Sequence, residues 1–320
     1  MLFETQAAFI LAAALALDAA AGDPDWLWRR APHPVVIFGR LIGWLDRSLN
    51  RGSARRLGGV VALIVLIAAA GAAGWALHSA FALHPLGLAG EILAVAVLLA
   101  QRSLYDHVAR VRRAFGGGGL AAARVAVSLI VGRDPNALDE AGVCRAAIET
   151  TAENFSDGVV APALWYLVAG LPGIAIYKAV NTADSMIGHR TPRHAAFGWA
   201  SARADDAMNL LPARLSGGLM VVAAAFAGGD ARGAWRAMWR DAGGHRSPNA
   251  GWPEAAMAGA LGLALAGPRV YASGRIEDAW MNEGGRVEAR PEDIARALRV
   301  FVVACGVLLV VVLAIALMVT

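Results

Sequence analysis

Four short polar clusters, separated by apolar segments, contain most of the residues in this chain that could do chemistry. They lie at residues 153–158, 178–185, 203–209 and 245–254. Each combines asparagine with carboxylates, basic side chains or both, and such groups are costly to bury in hydrocarbon. Because the segments between them are apolar, we expect the clusters to mark the working site of a membrane protein.

The first cluster has the spacing of a small metal site. Glu153 and Asp157 are four residues apart, so on a helix both carboxylates would face the same side. Mg²⁺ prefers oxygen ligands and usually shares them with phosphate groups. The alternative interpretation is an acidic helix end beside Gly158.

The second cluster places a cation beside oxygen ligands. Lys178, Asn181 and Ser185 follow one another at helical spacing, and Asp184 lies close to the same face. A lysine ammonium is a common partner of phosphate, and Asp184 could bind a metal ion. The alternative is a solvated helix face or a structural ion pair.

The third cluster repeats this combination. Asp205 and Asp206 precede Asn209, and Arg203 and Arg214 flank them. Because buried charges need partners of the opposite sign, these clusters together favour a polar cavity that binds phosphate through Mg²⁺ and basic side chains. The residue types are consistent with phosphate chemistry, although the chain contains no G-x-x-x-x-G-K-[ST] phosphate loop.

The fourth cluster reads as a rigid loop that leads into a helix over residues 254–265. Its prolines, glycine and asparagine favour turns, and Glu254 would complement the helix dipole. His245 could carry a proton near neutral pH, or it could simply hydrogen-bond the loop. Asparagines recur in all four clusters and suit a site that orients a polar substrate: Asn154, Asn181, Asn209 and Asn249.

The elements that hold these clusters are predicted to be membrane helices. The chain has 320 residues, of which 58% are apolar and 17% charged, a composition typical of membrane proteins. We predict a single membrane-embedded domain over residues 1–320, with spans at about 2–21, 58–81, 86–100 and 298–319. A cleaved signal peptide is the alternative for the first of these spans.

Three further apolar segments, at 158–177, 210–228 and 255–267, are ambiguous between crossing and re-entrant. In the first, Gly170 to Gly173 would divide the segment into halves of about ten residues, each reaching only about 15 Å. A re-entrant hairpin therefore fits better than a kinked crossing helix. The second segment either crosses or turns back at Gly217-Gly218, and the amphipathic segment that follows it favours turning back.

Basic residues set the predicted orientation. Arginines crowd residues 29–56 and 102–124, which we expect in the cytoplasm because positive charge accumulates there. Residues 230–241 form an amphipathic pattern of a helix lying on the membrane surface. The predicted fold is thus an all-α polytopic integral membrane protein with re-entrant hairpins and cytoplasmic amphipathic helices in the cell inner membrane. We expect its active site to face the cytoplasm, its surroundings to be the lipid bilayer, whose anionic lipids help the basic residues to set the topology, and no nucleic acid to be bound.

The four clusters resemble the signature of the CobD/CbiB family, the adenosylcobinamide-phosphate synthases of cobalamin biosynthesis. The resemblance rests on residues 153–162, 177–186, 197–214 and 247–262, with weaker support from 22–24, 32–35 and 39–40. These segments extend over nearly the whole chain. The segment 272–290 is the exception and is less similar to the family.

This resemblance implies a ligase that forms a carbon–nitrogen bond. It would join a propionate of adenosylcobyric acid, a corrinoid, to (R)-1-amino-2-propanol or its O-phosphate, with ATP as cosubstrate and Mg²⁺ as cofactor. The family also leaves room for a partner protein or a homo-oligomer. A carboxylate is a poor acyl donor, so phosphorylation by ATP would precede attack by the neutral amine.

Residue roles follow from the chemistry rather than from the family. As hypotheses, the carboxylates are metal ligands: Glu153, Asp157, Asp184, Asp205 and Asp206. The cations contact phosphate or carboxylate: Lys178, Arg190, Arg203 and Arg214. The proposed catalytic residues are Lys178, Asp184, His245 and Glu254, with His245 or Glu254 handling the amine proton.

Two other functions remain open from the sequence. One is a Mg²⁺-dependent transferase acting on a lipid pyrophosphate, like the UbiA prenyltransferases, because Asn181 to Asp184 and Asp205-Asp206 resemble aspartate-rich motifs. The repeated N-D-x-x-D form of that family is missing. The other is a transporter, in which intramembrane charges line a substrate path, but no two-fold repeat supports it.

Overall fold

The fold is built almost entirely from α-helices. The computed structural model describes residues 5–132, 134–271, 274–276 and 278–318. Within these ranges five helical stretches are long and apolar enough to cross a membrane: Arg55–Ala82, Gly87–Val127, Glu140–Ile187, Trp199–Phe226 and Pro291–Met318. The predicted class, an all-α polytopic membrane protein, is confirmed.

The chain groups into two compact units. The first comprises Met1–Ala100, Ala161–Asn209 and Val311–Thr320, and the second comprises Gln101–Val160 and Leu210–Val310. The helices that begin in the first unit are α1 (Thr5–Ala21), α2 (Asp25–Trp28), α3 (Pro34–Leu49), α4 (Arg55–Ala82), α5 (Gly87–Leu98), α8 (Ala161–Ile187) and α9 (Trp199–Phe226). Residues 2–4 and 319 of the predicted spans lie outside the described ranges.

In the first unit, α4 and α8 pack through a seam of small residues. Ala62 and Ala70 of α4 share a buried cluster with Ala175, Ala179 and Ala183 of α8. Small side chains let two helix backbones approach closely, which is how helices associate in a membrane. This packing holds the half of α8 that carries the second polar cluster.

Helix α8 turns back on itself at Gly170. The backbone leaves helical geometry at Ala169 and Gly170, and Gly170 has φ 60° and ψ −151°, a conformation open essentially only to glycine. After the turn, a side chain on Gly173 would collide with the backbone oxygen of Trp165. Residues eight apart in a straight helix are about 12 Å apart, so the two halves of α8 form a hairpin, as the sequence predicted. Its re-entrant placement in a bilayer stays a prediction.

The second unit consists of helices around a short β-structured segment. The helices that begin in it are α6 (Gln101–Val127), α7 (Glu140–Phe155), α10 (Ala231–Asp241), α11 (Gly251–Leu261) and α12 (Pro291–Met318), with 3₁₀ turns at Pro135–Ala137 and Ala242–Gly244. The strands are β1 (Leu265–Ala266), β2 (Arg269–Tyr271), β3 (Gly274–Ile276) and β4 (Trp280–Met281). Strand β1 pairs antiparallel with β4, and β2 pairs antiparallel with β3.

The amphipathic helix predicted over residues 230–241 is present as α10. Asp230 caps it by accepting the N–H of Gly233 at 2.9 Å. The rings of Trp235 and Trp239 meet edge to face at 5.6 Å, and Trp239 meets Trp252 of α11 in the same way at 5.1 Å. Both tryptophans of α10 remain exposed, so one face of α10 offers aromatic surface while α11 covers the other.

Two of the sequence expectations about helix ends are wrong. Helix α9 continues through Gly217 and Gly218 to Phe226, so the chain does not turn back there. Helix α11 covers Gly251–Leu261 rather than 254–265, because the turn formers 251–253 enter its first turn and Gly262, at φ 68°, ends it. Proline is well tolerated in a first turn because its missing N–H would have no helical acceptor there.

Candidate functional site

A buried hydrogen-bond network joins α8 and α9 in the first unit. The Tyr177 hydroxyl donates to the Asn209 amide oxygen at 3.0 Å, and the Asn209 amide nitrogen donates to one carboxylate oxygen of Asp205 at 3.1 Å. The Asn181 amide nitrogen donates to the other Asp205 oxygen at 3.2 Å. Helical periodicity explains the convergence, because residues four apart, such as Tyr177 and Asn181, share one face of a helix.

The network holds the Asp205 carboxylate without cancelling its charge. Asp205 is only 8% exposed and Asn209 only 1%, yet the hydrogen bonds that Asp205 accepts come from neutral amides. Each carboxylate oxygen has two lone pairs, so each retains capacity for a cation. The carboxylates of Asp184 and Asp206 are close enough to repel that of Asp205. A cation placed beside Asp205 would relieve this repulsion.

Three of the predicted cations lie on, or just beyond, the helices that carry the network. Arg203 forms an ion pair with Asp206 at 2.9 Å, one turn along α9, and its side chain is 54% exposed. Lys178 is partly buried on α8, and Arg190 lies exposed beyond the end of that helix. Burial lowers the pKa of His33, Asp23 acts in the opposite direction, and the positive charge of Lys178 lowers the pKa further. Lys178 therefore lies near the loop that contains His33.

A second buried carboxylate of the first unit, Asp46, is not predicted from the sequence. Asp46 on α3 accepts two hydrogen bonds from the Arg193 guanidinium, at 2.6 and 3.2 Å, and one from the Asn50 amide at 2.8 Å. The imidazole of His194 lies 3.5 Å from the same carboxylate. Burial alone would raise the pKa of Asp46, but the hydrogen bonds from Arg193 and Asn50 outweigh it and hold the pKa below its ordinary value. No local pattern could reveal the pairing of Asp46 with Arg193 and His194, because both are far from Asp46 in sequence.

The first polar cluster lies in the second unit, at the end of α7. Glu153 and Asn154 are exposed and Asp157 is partly buried. The Asn154 amide donates to the Thr150 carbonyl at 3.1 Å. After Phe155 the chain forms a π-helical turn at Ser156–Val160, which changes the angular relation between residues 153 and 157 that an α-helix would give. The joint use of these two carboxylates as metal ligands stays a prediction.

The fourth polar cluster also lies in the second unit, as an ordered loop before α11. Nδ1 of His245 accepts the Ser247 N–H at 3.0 Å, and its Nε2 lies 3.7 Å from the Glu254 carboxylate. The side chains of His245 and Glu254 are 13% and 4% exposed. The Ser247 hydroxyl accepts the N–H of Asn249, whose side chain is buried. His245 thus hydrogen-bonds the loop, as one of the two expectations held, and also faces a carboxylate.

Arg214 completes the set of predicted site residues. It lies on α9 in the second unit, where its guanidinium stacks 4.5 Å from the ring centroid of Trp252. Its Nη1 donates to the carbonyl of Leu210 at 2.6 Å. An arginine stacked in this way keeps most of its donors directed outward, so it remains suited to contact an anion.

The arrangement fits Mg²⁺ only if a substrate supplies further ligands. Among the described residues no group of three or more His, Cys, Asp or Glu side chains is placed to hold a metal ion. Mg²⁺ is usually bound by one or two carboxylates together with phosphate and water. Asp205, held with free lone pairs beside Asp184 and Asp206, provides that kind of partial site, so the residues present fit the ion.

The fold and this polar network define a multi-pass helical membrane protein with a buried, negatively charged site. The chain belongs to the CobD/CbiB family: the family model described as "CobD/Cbib protein" matches residues 11–301. The predicted family is confirmed, and it favours the cobalamin interpretation over the prenyltransferase and transporter alternatives.

Relatives of the chain carry the same family name. It is 56% identical to the cobalamin biosynthesis protein CobD of Sinorhizobium sp over 314 residues, which cover 96% of this chain and 97% of the relative. It is 55% identical to the protein of that name from Rhizobium meliloti (strain 1021), covering 93% and 94%. The Rhodobacter capsulatus protein is 50% identical, covering 92% of each chain. No solved structure matches the chain.

Proposed function

We propose that the chain acts in cobalamin biosynthesis as an ATP-dependent ligase. It would join a propionate of adenosylcobyric acid to (R)-1-amino-2-propanol or its O-phosphate, which gives adenosylcobinamide or its phosphate. Family membership and the names of the relatives support the pathway and a corrinoid substrate. The buried Asp205 network is the single observation that supports the ligase chemistry.

The reaction has two steps, each of which forms one bond and breaks another. Both steps need neutralisation of negative charge. The propionate oxygen attacks the γ-phosphorus of ATP, the bond to ADP breaks, and an acyl phosphate forms. The amine nitrogen then attacks the acyl carbon, the bond to phosphate breaks, and an amide, inorganic phosphate and one proton result. Two anions must approach in the first step, so cations are required to lower the barrier.

Asp205, together with Asp184 or Asp206, would hold Mg²⁺ jointly with substrate phosphate and water, and the ion would supply positive charge next to the phosphates. The amides of Asn181 and Asn209 hold the Asp205 carboxylate in one orientation. This fixed geometry means that the carboxylate does not reorganise during the reaction, which is the main source of electrostatic catalysis in enzymes.

The basic residues would bind the anionic parts of the substrates. Lys178 lies on α8 one turn before Asn181, so it can reach a phosphate held at Asp205. Arg190, Arg203 and Arg214 are exposed and can contact propionate or phosphate oxygens. A guanidinium binds such groups with two parallel hydrogen bonds.

His245 and Glu254 would handle the proton of the amine. The amine must be neutral to attack, and the amide product requires that its nitrogen lose a proton. Nδ1 of His245 lies 3.3 Å from the Ser247 carbonyl oxygen. In the tautomer in which Nδ1 donates to that oxygen, Nε2, 3.7 Å from Glu254, would take up the amine proton. Glu254 would stabilise the imidazolium when His245 takes up a proton.

A turnover assay tests the proposed function. Protein purified in detergent receives Mg-ATP, adenosylcobyric acid and either aminopropanol or its phosphate, and ADP release is measured together with the amide product. We expect ADP release that requires both the corrinoid and one of the amines, with one product formed per ADP. No product with either amine, or ADP release that continues without the corrinoid, would contradict the ligase assignment.

A further inference from the structure

A cavity of the first unit is lined by none of the residues of the Asp205 network. Its volume is about 600 Å³, and its lining comes from α1, the end of α4, the start of α5 and the part of α8 around the Gly170 turn. Tyr177 and Asn181 follow that turn on α8. The volume is within the usual range of about 300–1,000 Å³ for small-molecule sites.

A carboxylate inside an apolar helix is the central feature of this cavity. Glu91 lies on α5 and is only 8% exposed. One of its oxygens accepts the Tyr166 hydroxyl at 2.8 Å, and the other lies 3.3 Å from Nδ1 of His78. An ionisable residue in such a segment is expensive to bury and is usually retained for binding or transport. A carboxylate can accept about four hydrogen bonds, so two partners leave it able to accept more.

Apart from His78, Tyr166 and Gln6, the residues around Glu91 in this lining are apolar. Among the described residues that line the cavity, Glu91 is the carboxylate and there is no Lys or Arg. The Val168 carbonyl has no amide donor four residues later, because that position is Pro172. Gln6 adds an amide oxygen, and Phe81 and Leu88 supply apolar walls. Acceptors around one negative charge recognise a cation that donates hydrogen bonds.

The size and walls of the cavity decide which cation fits. A bare metal ion would leave most of about 600 Å³ empty, and no group of three His, Cys, Asp or Glu side chains among the described residues could hold one. An organic ammonium ion would pair its charge with Glu91 and place its hydrocarbon part against Phe81 and Leu88. The aromatic ring of Phe81 also attracts a cation that lies over its face.

We propose that this cavity is a binding site for a small organic ammonium ion, with Glu91 as its counter-ion and Tyr166 and His78 holding the carboxylate in place. The site does not depend on the ligase activity. None of the residues that line it belongs to the Asp205 network, so binding at one site does not require the residues of the other.

Calorimetric titration of the purified protein in detergent tests the site with benzylammonium as probe. Benzyl alcohol, of the same shape but uncharged, is the ligand control. We expect benzylammonium to bind and Glu91→Gln to weaken its Kd by about 30-fold or more, because a buried charge loses its counter-ion. Glu288→Gln, which changes an exposed carboxylate of the second unit, is the matched protein control and should leave the Kd unchanged.

Two further variants test the site without relying on Glu91→Gln. Ala82→Trp keeps Glu91 but fills the cavity from an exposed lining position, so it should abolish binding even if Glu91→Gln does not fold. Asp205→Asn should bind benzylammonium like the wild type. Three results would overturn the site: unchanged affinity in folded Glu91→Gln or in Ala82→Trp, equal affinity for benzyl alcohol, or loss of binding in Asp205→Asn, which would place the ammonium in the other network.

Discussion

Asp205 and Asp46 are two carboxylates of the first unit with nearly equal exposure, 8% and 9%, and with partners of different charge. Asp205 accepts hydrogen bonds from the neutral amides of Asn181 and Asn209. Asp46 accepts them from the guanidinium of Arg193 and the amide of Asn50. Asp205 therefore has no cationic side chain among these donors and can accept a cation from a ligand, whereas the ion pair of Asp46 attaches the segment after α8 to α3.

The comparison shows that burial alone does not identify a functional carboxylate. A carboxylate paired with arginine is electrically satisfied within the protein, and its role is structural. A carboxylate held by neutral donors is oriented but not neutralised, and it can still attract a cation. The charge of the partner therefore separates the two roles.

The largest expected effect is the loss of activity in Asp205→Asn. The variant keeps the size of the side chain but removes the negative charge that would hold Mg²⁺, so ligase turnover should fall roughly 10³-fold. The matched variant Asp46→Asn should lower the melting temperature and leave turnover per folded molecule within about threefold. Turnover is measured as product formed, and folding as a single peak in size-exclusion chromatography. Equal losses of turnover in the two variants would erase the proposed difference between the carboxylates.

The next effect is on stability. Arg193→Ala should lower the free energy of unfolding by about 1.5–3 kcal/mol near neutral pH, because it leaves a poorly exposed carboxylate without its charged donor. Since folding lowers the pKa of Asp46, this contribution is complete above the unfolded pKa of about 3.9 and disappears as the pH falls through the lower folded pKa. The melting temperatures of wild type and variant should therefore converge below that pH.

Arg203→Ala serves as the control for this stability measurement. Its guanidinium is 54% exposed, similar to the 60% of Arg193, but it pairs with the more accessible Asp206 one turn away. Exposed pairs of this kind contribute about 0–1 kcal/mol. A larger loss of stability in Arg203→Ala than in Arg193→Ala would contradict the structural role given to Asp46.

The smallest expected effect tests whether the network positions Asp205. Tyr177→Phe removes the hydroxyl that donates to Asn209, so Asn209 can rotate and hold Asp205 less firmly. The apparent affinity for Mg²⁺ should fall about tenfold, as for groups that orient metal ligands, while saturating Mg²⁺ restores most of kcat. Tyr166→Phe, which removes the other buried hydroxyl of α8, should not change the Mg²⁺ dependence. Identical behaviour of the two variants would argue against a positioning role.

Much of the fold follows from local sequence. Long apolar runs predict the helices α4 and α12. Arginines and tryptophans that fall on separate faces of a helix predict the amphipathic helix α10. The glycine and proline near residue 170 predict the turn in α8, because a helix cannot continue through that φ and ψ. The expected turn at Gly217-Gly218 is wrong, since consecutive glycines permit a break but do not impose one.

The candidate site is less completely encoded in local patterns. Four-residue spacing predicts that Asp205 and Asn209 share a face, and the two are indeed hydrogen-bonded. From the sequence, Asp184, Asp205 and Asp206 are equally good candidates for metal ligands. In the structure, packing buries Asp205, while Asp184 and Asp206 remain partly exposed. The spacing also missed Glu91, a single carboxylate within a predicted span, whose isolation in apolar sequence was the available signal.

The sequence by itself determined the class of protein, its family and the residues from which the site is drawn, because apolar length and helical periodicity are properties of neighbouring residues. Only the tertiary structure decided which carboxylate meets neutral amides and which meets arginine. Asp46 and Arg193 are 147 positions apart, and Asn181 and Asp205 come from different helices. Hydrogen bonds act over about 3 Å and depend on direction, so partners of this kind are assigned by the packing of helices and not by spacing along the chain.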